Sequence, residues 1–195
     1  MKKILAVLIT LAMLVTLTAC GENEEKGDNG KKYTDYEKLI EDVMDAFEDG
    51  DEDVIEGMIT DLMQDHYKAE IAEYVIDDYE DTYDGYKVRG WEIFEVDDDE
   101  DMLEELIEDI EDELDNFNEM LDNGEIDRDD LDDYGINMNF KPSKYKKYIV
   151  AEIKVELNDE DGDDYVSYID FDIVKEGSEW RLCDAFISSP AYDVH

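Results

Sequence analysis

Aspartates and glutamates number 60 in this 195-residue chain, against 17 lysines and arginines. Carboxylate chemistry is therefore the first to test. A calcium loop needs oxygen ligands at fixed positions, with glycine at the sixth and glutamate at the twelfth. The run from Asp45 through Asp49, Gly50, Asp51 and Asp53 to Glu56 fits at its first, fifth, sixth, seventh, ninth and twelfth positions. Its third position is Phe47, part of an apolar stripe, so the run is a near miss arising from acidic composition. Carboxylates also cluster at Asp97–Asp101, Asp127–Asp133 and Asn158–Asp164. In the last of these, Asp159, Asp161, Asp163 and Asp164 are the candidate ligands for weakly held Ca²⁺. The ordinary reading of such runs is a solvated acidic face.

Catalytic patterns are missing from the sequence. It has no nucleophile elbow, phosphate loop, zinc-protease helix or paired-cysteine redox motif, and its only histidines are His66 and His195. No cofactor is called for. One carboxylate stands out by its neighbours. Asp184 alternates in step with Trp180, Leu182 and Phe186. On an enclosed strand face its pKa would rise with burial, as a general base requires. The plainer alternatives are that it lies beyond the core or pairs with a cation such as Arg89. A basic island, Lys141, Lys144, Lys146 and Lys147 with Tyr145 and Tyr148 between, reads as local charge balance at a strand entry, or as a contact for lipid headgroups or an acidic partner.

The N-terminus carries a different chemistry. Lys2 and Lys3 precede an uncharged run from Ile4 to Ala19, and Cys20 follows. The run is shorter than the about 20 apolar residues a membrane span needs, and Gly21-Glu22-Asn23-Glu24-Glu25 follows at once. A basic start, an apolar centre and small residues before a cut describe a secretory signal peptide. Leu17-Thr18-Ala19-Cys20 resembles the lipobox of bacterial lipoproteins. That resemblance implies cleavage before Cys20, a lipid on its sulfur, and a membrane partner reached through that lipid; stable anchoring needs two acyl chains. Residues 1–19 are then a leader, and 20–32, almost wholly polar past the cysteine, a flexible tether. With Cys20 lipidated, Cys183 has no intramolecular partner and reads as a small core residue.

The net charge of −43 repels phosphate backbones and anionic surfaces, which call for a basic patch. Nucleic acid is not an expected partner; a cationic protein or peptide is. Acidity does not mean disorder here, because 43% of residues are hydrophobic and 11% aromatic, enough to build a core. Residues 33–195 have the length of one domain.

Apolar spacing supplies the elements. Tyr36, Leu39, Ile40, Val43, Met44 and Phe47 form a helical stripe, capped by Thr34 or Asp35 and ended by Gly50. Val54, Ile55, Met58, Ile59 and Leu62 mark a short second helix, and Tyr67, Ile71, Tyr74, Val75 and Tyr79 a third. Val88, Trp91, Ile93, Phe94 and Val96 read as a strand with imperfect alternation, so both its faces are expected to be partly covered. Leu103, Ile107, Ile110, Leu114, Phe117 and Leu121 make a narrow seam on a long helix ended by Gly124, read as packing on the protein's own sheet rather than as a coiled coil. Alternation at 149–157, 169–173 and 180–187, with polar turns between, reads as a three-stranded antiparallel meander.

Helices, one strand, a helix and then a meander make an α+β domain. The stretch from Ala46 and Phe47 through Gly50-Asp51 to Ile55, and the closing Val174-Lys175-Glu176-Gly177-Ser178-Glu179-Trp180-Arg181-Leu182, resemble the NTF2-like (cystatin-like) fold of many small bacterial lipoproteins. The long helix at 98–123 departs from that family's short connection between strands. The resemblance implies N-terminal helices on a curved antiparallel sheet, enclosing a cone-shaped pocket that members use for ligands, catalysis or protein partners. Trp91, Trp180, Asp184 and Phe186 are the residues expected to line it. The sequence thus points to a lipid-anchored, extracytoplasmic, non-enzymatic binding module for a small ligand or a cationic protein. A Ca²⁺-binding surface lipoprotein is the alternative, and a pocket enzyme the third reading.

Overall fold

Asp35 and Gly50 set the ends of the first helix. The Asp35 carboxylate accepts the Glu37 N–H at 3.0 Å, and Gly50 takes a φ of 65°, the left-handed turn that closes a helix and that a side chain resists. Between them α1 (Tyr36–Asp49) buries Leu39, Ile40, Val43, Met44 and Phe47, as the spacing predicts. The structure, a computed structural model, describes residues 33–127 and 135–193, with the backbone alone over 184–193. Cys20 with its leader and tether, the carboxylates at 128–133 and His195 lie outside the described residues.

Asp51 caps α2 (Glu52–Met58) by accepting the Val54 N–H at 3.3 Å. This helix stops sooner than its apolar spacing suggests. Ile59 leaves it to make a parallel bridge with Leu182, and Thr60 N–H donates to the Leu182 carbonyl at 3.0 Å. The backbone between α2 and α3 (Asp65–Tyr83) thus extends the sheet by one bridge. β1 (Lys87–Asp97) leads into α4 (Glu100–Asn123), capped by Asp99 and closed by Gly124 at φ 70°. A 3₁₀ turn over Pro142–Lys144 opens β2 (Tyr145–Asn158), which continues into β3 (Asp164–Glu176) and β4 (Glu179–Asp193). β2 therefore begins four residues before the regular alternation does, taking in the basic island's Lys146 and Lys147.

The sheet is four-stranded and antiparallel, in the order β1-β2-β3-β4. The fold is α+β. Its inner face presents Ile149, Ala151, Ile153, Val155 and Leu157 of β2 and Ile169, Phe171 and Ile173 of β3 to α1, α2 and α3 in one buried cluster. The helix seam of α4 packs on the opposite face. Ile110 of the seam, and Leu106 from outside it, are buried there with Tyr145, Tyr148, Val174 and Cys183, and Leu103 and Leu114 pack half-buried against them. The sheet is thus covered on both sides, but α4 reaches only the start of β2, the end of β3 and the start of β4.

Candidate protein-docking face

The space expected to be a cone is filled by the protein's own side chains. Leu39, Ile40, Met44, Ile153, Ile169 and Phe171 are all fully buried there. Trp180 is a wall of this core: it is 6% exposed, its N–H donates to the Tyr33 carbonyl at 2.7 Å, and its ring meets Tyr36 edge-on at 5.6 Å. Trp91 packs against the same cluster from β1, opposite Val155. The two tryptophans stand on opposite edge strands, with β2 and β3 between. The backbone pairs Asp184 with Asp172, and Phe186 with Asp170. A register shift after Leu182 breaks the strict alternation that put Asp184 in step with Trp180. Arg89 is engaged elsewhere, donating to Asp164 at 2.9 Å.

The carboxylates at Asn158–Asp164 hold their own turn. Asp159 Oδ1 accepts the N–H groups of Asp161 and Asp163 at 3.0 and 2.9 Å, and Oδ2 accepts the Tyr165 hydroxyl at 3.2 Å. These donors, the Asp163 N–H foremost, keep the Asp159 carboxyl below the usual carboxylate range. Asp164 accepts from Arg89 and from Asn158, the latter at 2.7 Å. Among the described residues no group of three His, Cys, Asp or Glu side chains is placed to hold a metal. The Asp45–Glu56 run is split between two helices, and its Phe47 stacks on Tyr79 at 4.9 Å. In the basic island, Lys144 pairs with Glu176 at 3.2 Å, and Lys146 donates to the Ser143 carbonyl at 2.6 Å.

The outer face beyond α4 is a site that spacing alone did not reveal. Two register shifts interrupt β1, one of them between Ile93 and Glu95. The extra residue is Phe94. It is 56% exposed and meets the Tyr168 ring edge-on at 5.6 Å. Around this aromatic pair the strands align like charges. Glu95 stands opposite Glu152, and Glu152 opposite Asp170, a row of three carboxylates across β1, β2 and β3. The neighbouring row holds Glu92, Lys154 and Tyr168, with Lys154 shared between Glu92 at 3.0 Å and Glu156 at 3.1 Å. Lys154 thus meets two of these five carboxylates. The imperfect alternation of β1 was the trace of this arrangement in the sequence. Cross-strand register has no trace there.

Like charges directly opposite on a sheet are destabilising. Burial first, then Asp170 and Glu95, push the Glu152 carboxyl above its ordinary range. Asp172, whose oxygen accepts the Tyr148 hydroxyl at 2.8 Å, is also raised, by burial and by Asp170. A carboxyl with a raised folded pKa contributes stability at low pH that is lost as pH rises through the folded value. The melting temperature is therefore expected to increase as pH falls from about 7 towards the ordinary carboxylate range near 4–5. Asp61 and Asp159, held low, act in the opposite sense, but only as pH falls through and below that range. Glu152→Gln is expected to raise the melting temperature at neutral pH and flatten its pH slope. A lower midpoint at about pH 5 than at about pH 7 would show that this repulsion does not govern.

Compared with protein-family models, characterised proteins and solved structures, the chain matches none. No helix among the described residues is long and apolar enough to cross a membrane.

Proposed function

We propose that this protein is a lipid-anchored, extracytoplasmic binding module that docks a cationic protein segment on the outer face of its sheet. The observation that carries the reading is Phe94, exposed and set against Tyr168 among Glu92, Glu95, Glu152, Glu156 and Asp170. An arginine or lysine side chain fits such a surface twice over. Its charge offsets the aligned carboxylates, and its cationic head can lie over an aromatic face, a contact worth about 0.5–2 kcal/mol. An acidic surface of this strength also steers basic partners towards it. The filled core favours a partner on the surface over a ligand in a cone. The helices on one face of an antiparallel sheet agree with the NTF2-like resemblance; α4 on the other face is an addition to it.

Calorimetric titration of the protein, solubilised in non-ionic detergent at about 0.15 M salt, with nona-arginine tests the docking reading. Saturable one-to-one binding, weakened about tenfold by Phe94→Ala, is expected. Unsaturable uptake of several equivalents, indifferent to Phe94, would reduce the face to general acidity. The anchor rests on Leu17-Thr18-Ala19-Cys20 and has its own test. Cys20→Ser is expected to abolish lipid labelling and move the protein from the membrane to the soluble fraction. Unchanged membrane retention would refute the anchor.

A further inference from the structure

A second concavity lies away from the acidic face, where the start of α3, the last turns of α4 and the 136–139 turn meet. It is an open groove of about 680 Å³, within the range of small-molecule sites. Its chemistry differs from the rest of the molecule. Lys68 and Lys144, from α3 and the 3₁₀ turn, converge on Asp61. The Lys68 ammonium is 3.2 Å from Asp61 and 3.5 Å from Asp65, and its side chain is only 13% exposed. The Lys144 ammonium is 3.8 Å from Asp61 and 3.2 Å from Glu176. Burial would raise the Asp61 carboxyl, but Lys68, Arg181 and Lys144 outweigh it.

The groove wall is held rigidly. Glu176 accepts both Thr60 Oγ1 and the Asp61 N–H at 3.1 Å. The Asn137 side chain donates to the Asp61 carbonyl at 3.1 Å, and Gln64 Nε2 donates to the Ile136 carbonyl at 3.0 Å. The Asp65 carboxylate, 99% exposed, stands at the groove's edge, and Leu121, Ile136 and Met138 offer half-buried apolar surface within it.

In a chain with a net charge of −43, Lys68 and Lys144 stand against Asp61, Asp65 and Glu176, with Arg181 also acting on Asp61, a zone far less negative than the rest of the chain. A carboxylate, repelled elsewhere on the surface, can approach here. An ammonium has three donors, and each lysine spends only part of that capacity on the carboxylates beside it. Charges of both signs beside an apolar patch match a molecule with the same three parts. We propose that this groove binds a zwitterionic ligand of amino-acid to dipeptide size, its carboxylate at Lys144 and Lys68, its ammonium at Asp65, and its apolar side chain on Leu121, Ile136 and Met138.

The probe is L-alanyl-L-leucine, titrated calorimetrically at millimolar concentration into the detergent-solubilised full chain. Its N-acetylated and C-amidated forms serve as controls. Saturable binding is expected for the free dipeptide, weakened at least tenfold by either block. Asn118→Trp, an exposed position of α4 lining the groove, is expected to abolish it without lowering the melting temperature. Lys144→Met is expected to weaken it about tenfold. No binding at millimolar concentration, equal binding of the blocked forms, or full binding by Asn118→Trp would each overturn the proposal. Nona-arginine binding, read on the same Asn118→Trp protein, is expected to be unchanged, so the failure of this groove is distinguishable from failure of the acidic face.

Discussion

Phe171→Ala is expected to lower the stability of the protein by about 3–5 kcal/mol, a fall in melting temperature of roughly 6–20 °C for a domain of this length. Phe171 is fully buried in an inner strand of the sheet, and its ring lies 6.0 Å from that of Phe47. It faces Ala151 across β2 and β3, so the residue directly opposite on β2 is too small to fill the space its ring would leave. The residual void adds to the lost transfer free energy, which puts this substitution at the upper end of core truncations. Tyr79→Phe is the contrasting control in the same core. Its ring stays stacked on Phe47, while the hydroxyl that goes is buried and has no hydrogen-bond partner among the described residues. Removing it is expected to be neutral or to stabilise by about 1 kcal/mol. Tyr83→Phe, one turn on, loses a 2.9 Å bond to the buried Ser167 hydroxyl and is expected to cost about 1 kcal/mol. Thermal melts of the three variants give the order directly. A Phe171→Ala protein as stable as its parent would mean that the helices and sheet do not share this core.

The second large effect is on binding. Reversing Glu95→Lys and Asp170→Lys together turns the aligned row of like charges into an alternating one around Glu152. The row's repulsion becomes attraction, so the melting temperature at neutral pH is expected to hold or rise. Two contacts that attracted a basic segment now repel it, and at tenfold for each 1.4 kcal/mol the affinity for nona-arginine is expected to fall about 100-fold. Glu104→Lys with Glu108→Lys, exposed on α4, changes net charge equally and is expected to cost less than about threefold, the long-range steering share. Binding lost while stability is kept separates a docking face from a structural one. Equal losses for the two pairs would leave only net charge as the recognition element.

Much of this architecture is readable along the chain because local chemistry decides it. Asp35, Gly50 and Gly124 mark helix ends by hydrogen-bonding capacity and backbone freedom, and the strict alternation of Ile149, Ala151, Ile153, Val155 and Leu157 needs only one buried face. Where long-range pairing decides, the same reasoning falls short. Ile59 fits the helical stripe of α2, yet the Leu182 backbone draws it into a bridge. The seam on α4 identifies a packed helix, but its spacing does not say which face of the sheet it covers. Phe94 has the type of a core residue and becomes a surface aromatic only because β1 carries an extra residue against β2. Glu95, Glu152 and Asp170 are 18 to 75 residues apart in sequence, and only antiparallel register brings them into one row. The groove at Asp61 is hidden in part for the same reason: Lys68 is close to Asp61 in sequence, but Lys144 is distant and reaches the same carboxylate from the turn before β2.

The most direct test of the docking face is to record amide chemical shifts of isotopically labelled, detergent-solubilised protein as nona-arginine is added at about 0.15 M salt. The account predicts saturating shifts concentrated at 92–95, 152–156 and 166–170, lost in the Glu95→Lys/Asp170→Lys protein. Shifts spread evenly over the acidic surfaces, with the exposed carboxylates of α4 and the Asp97–Asp101 run moving as much as Phe94 and its neighbours, would contradict it.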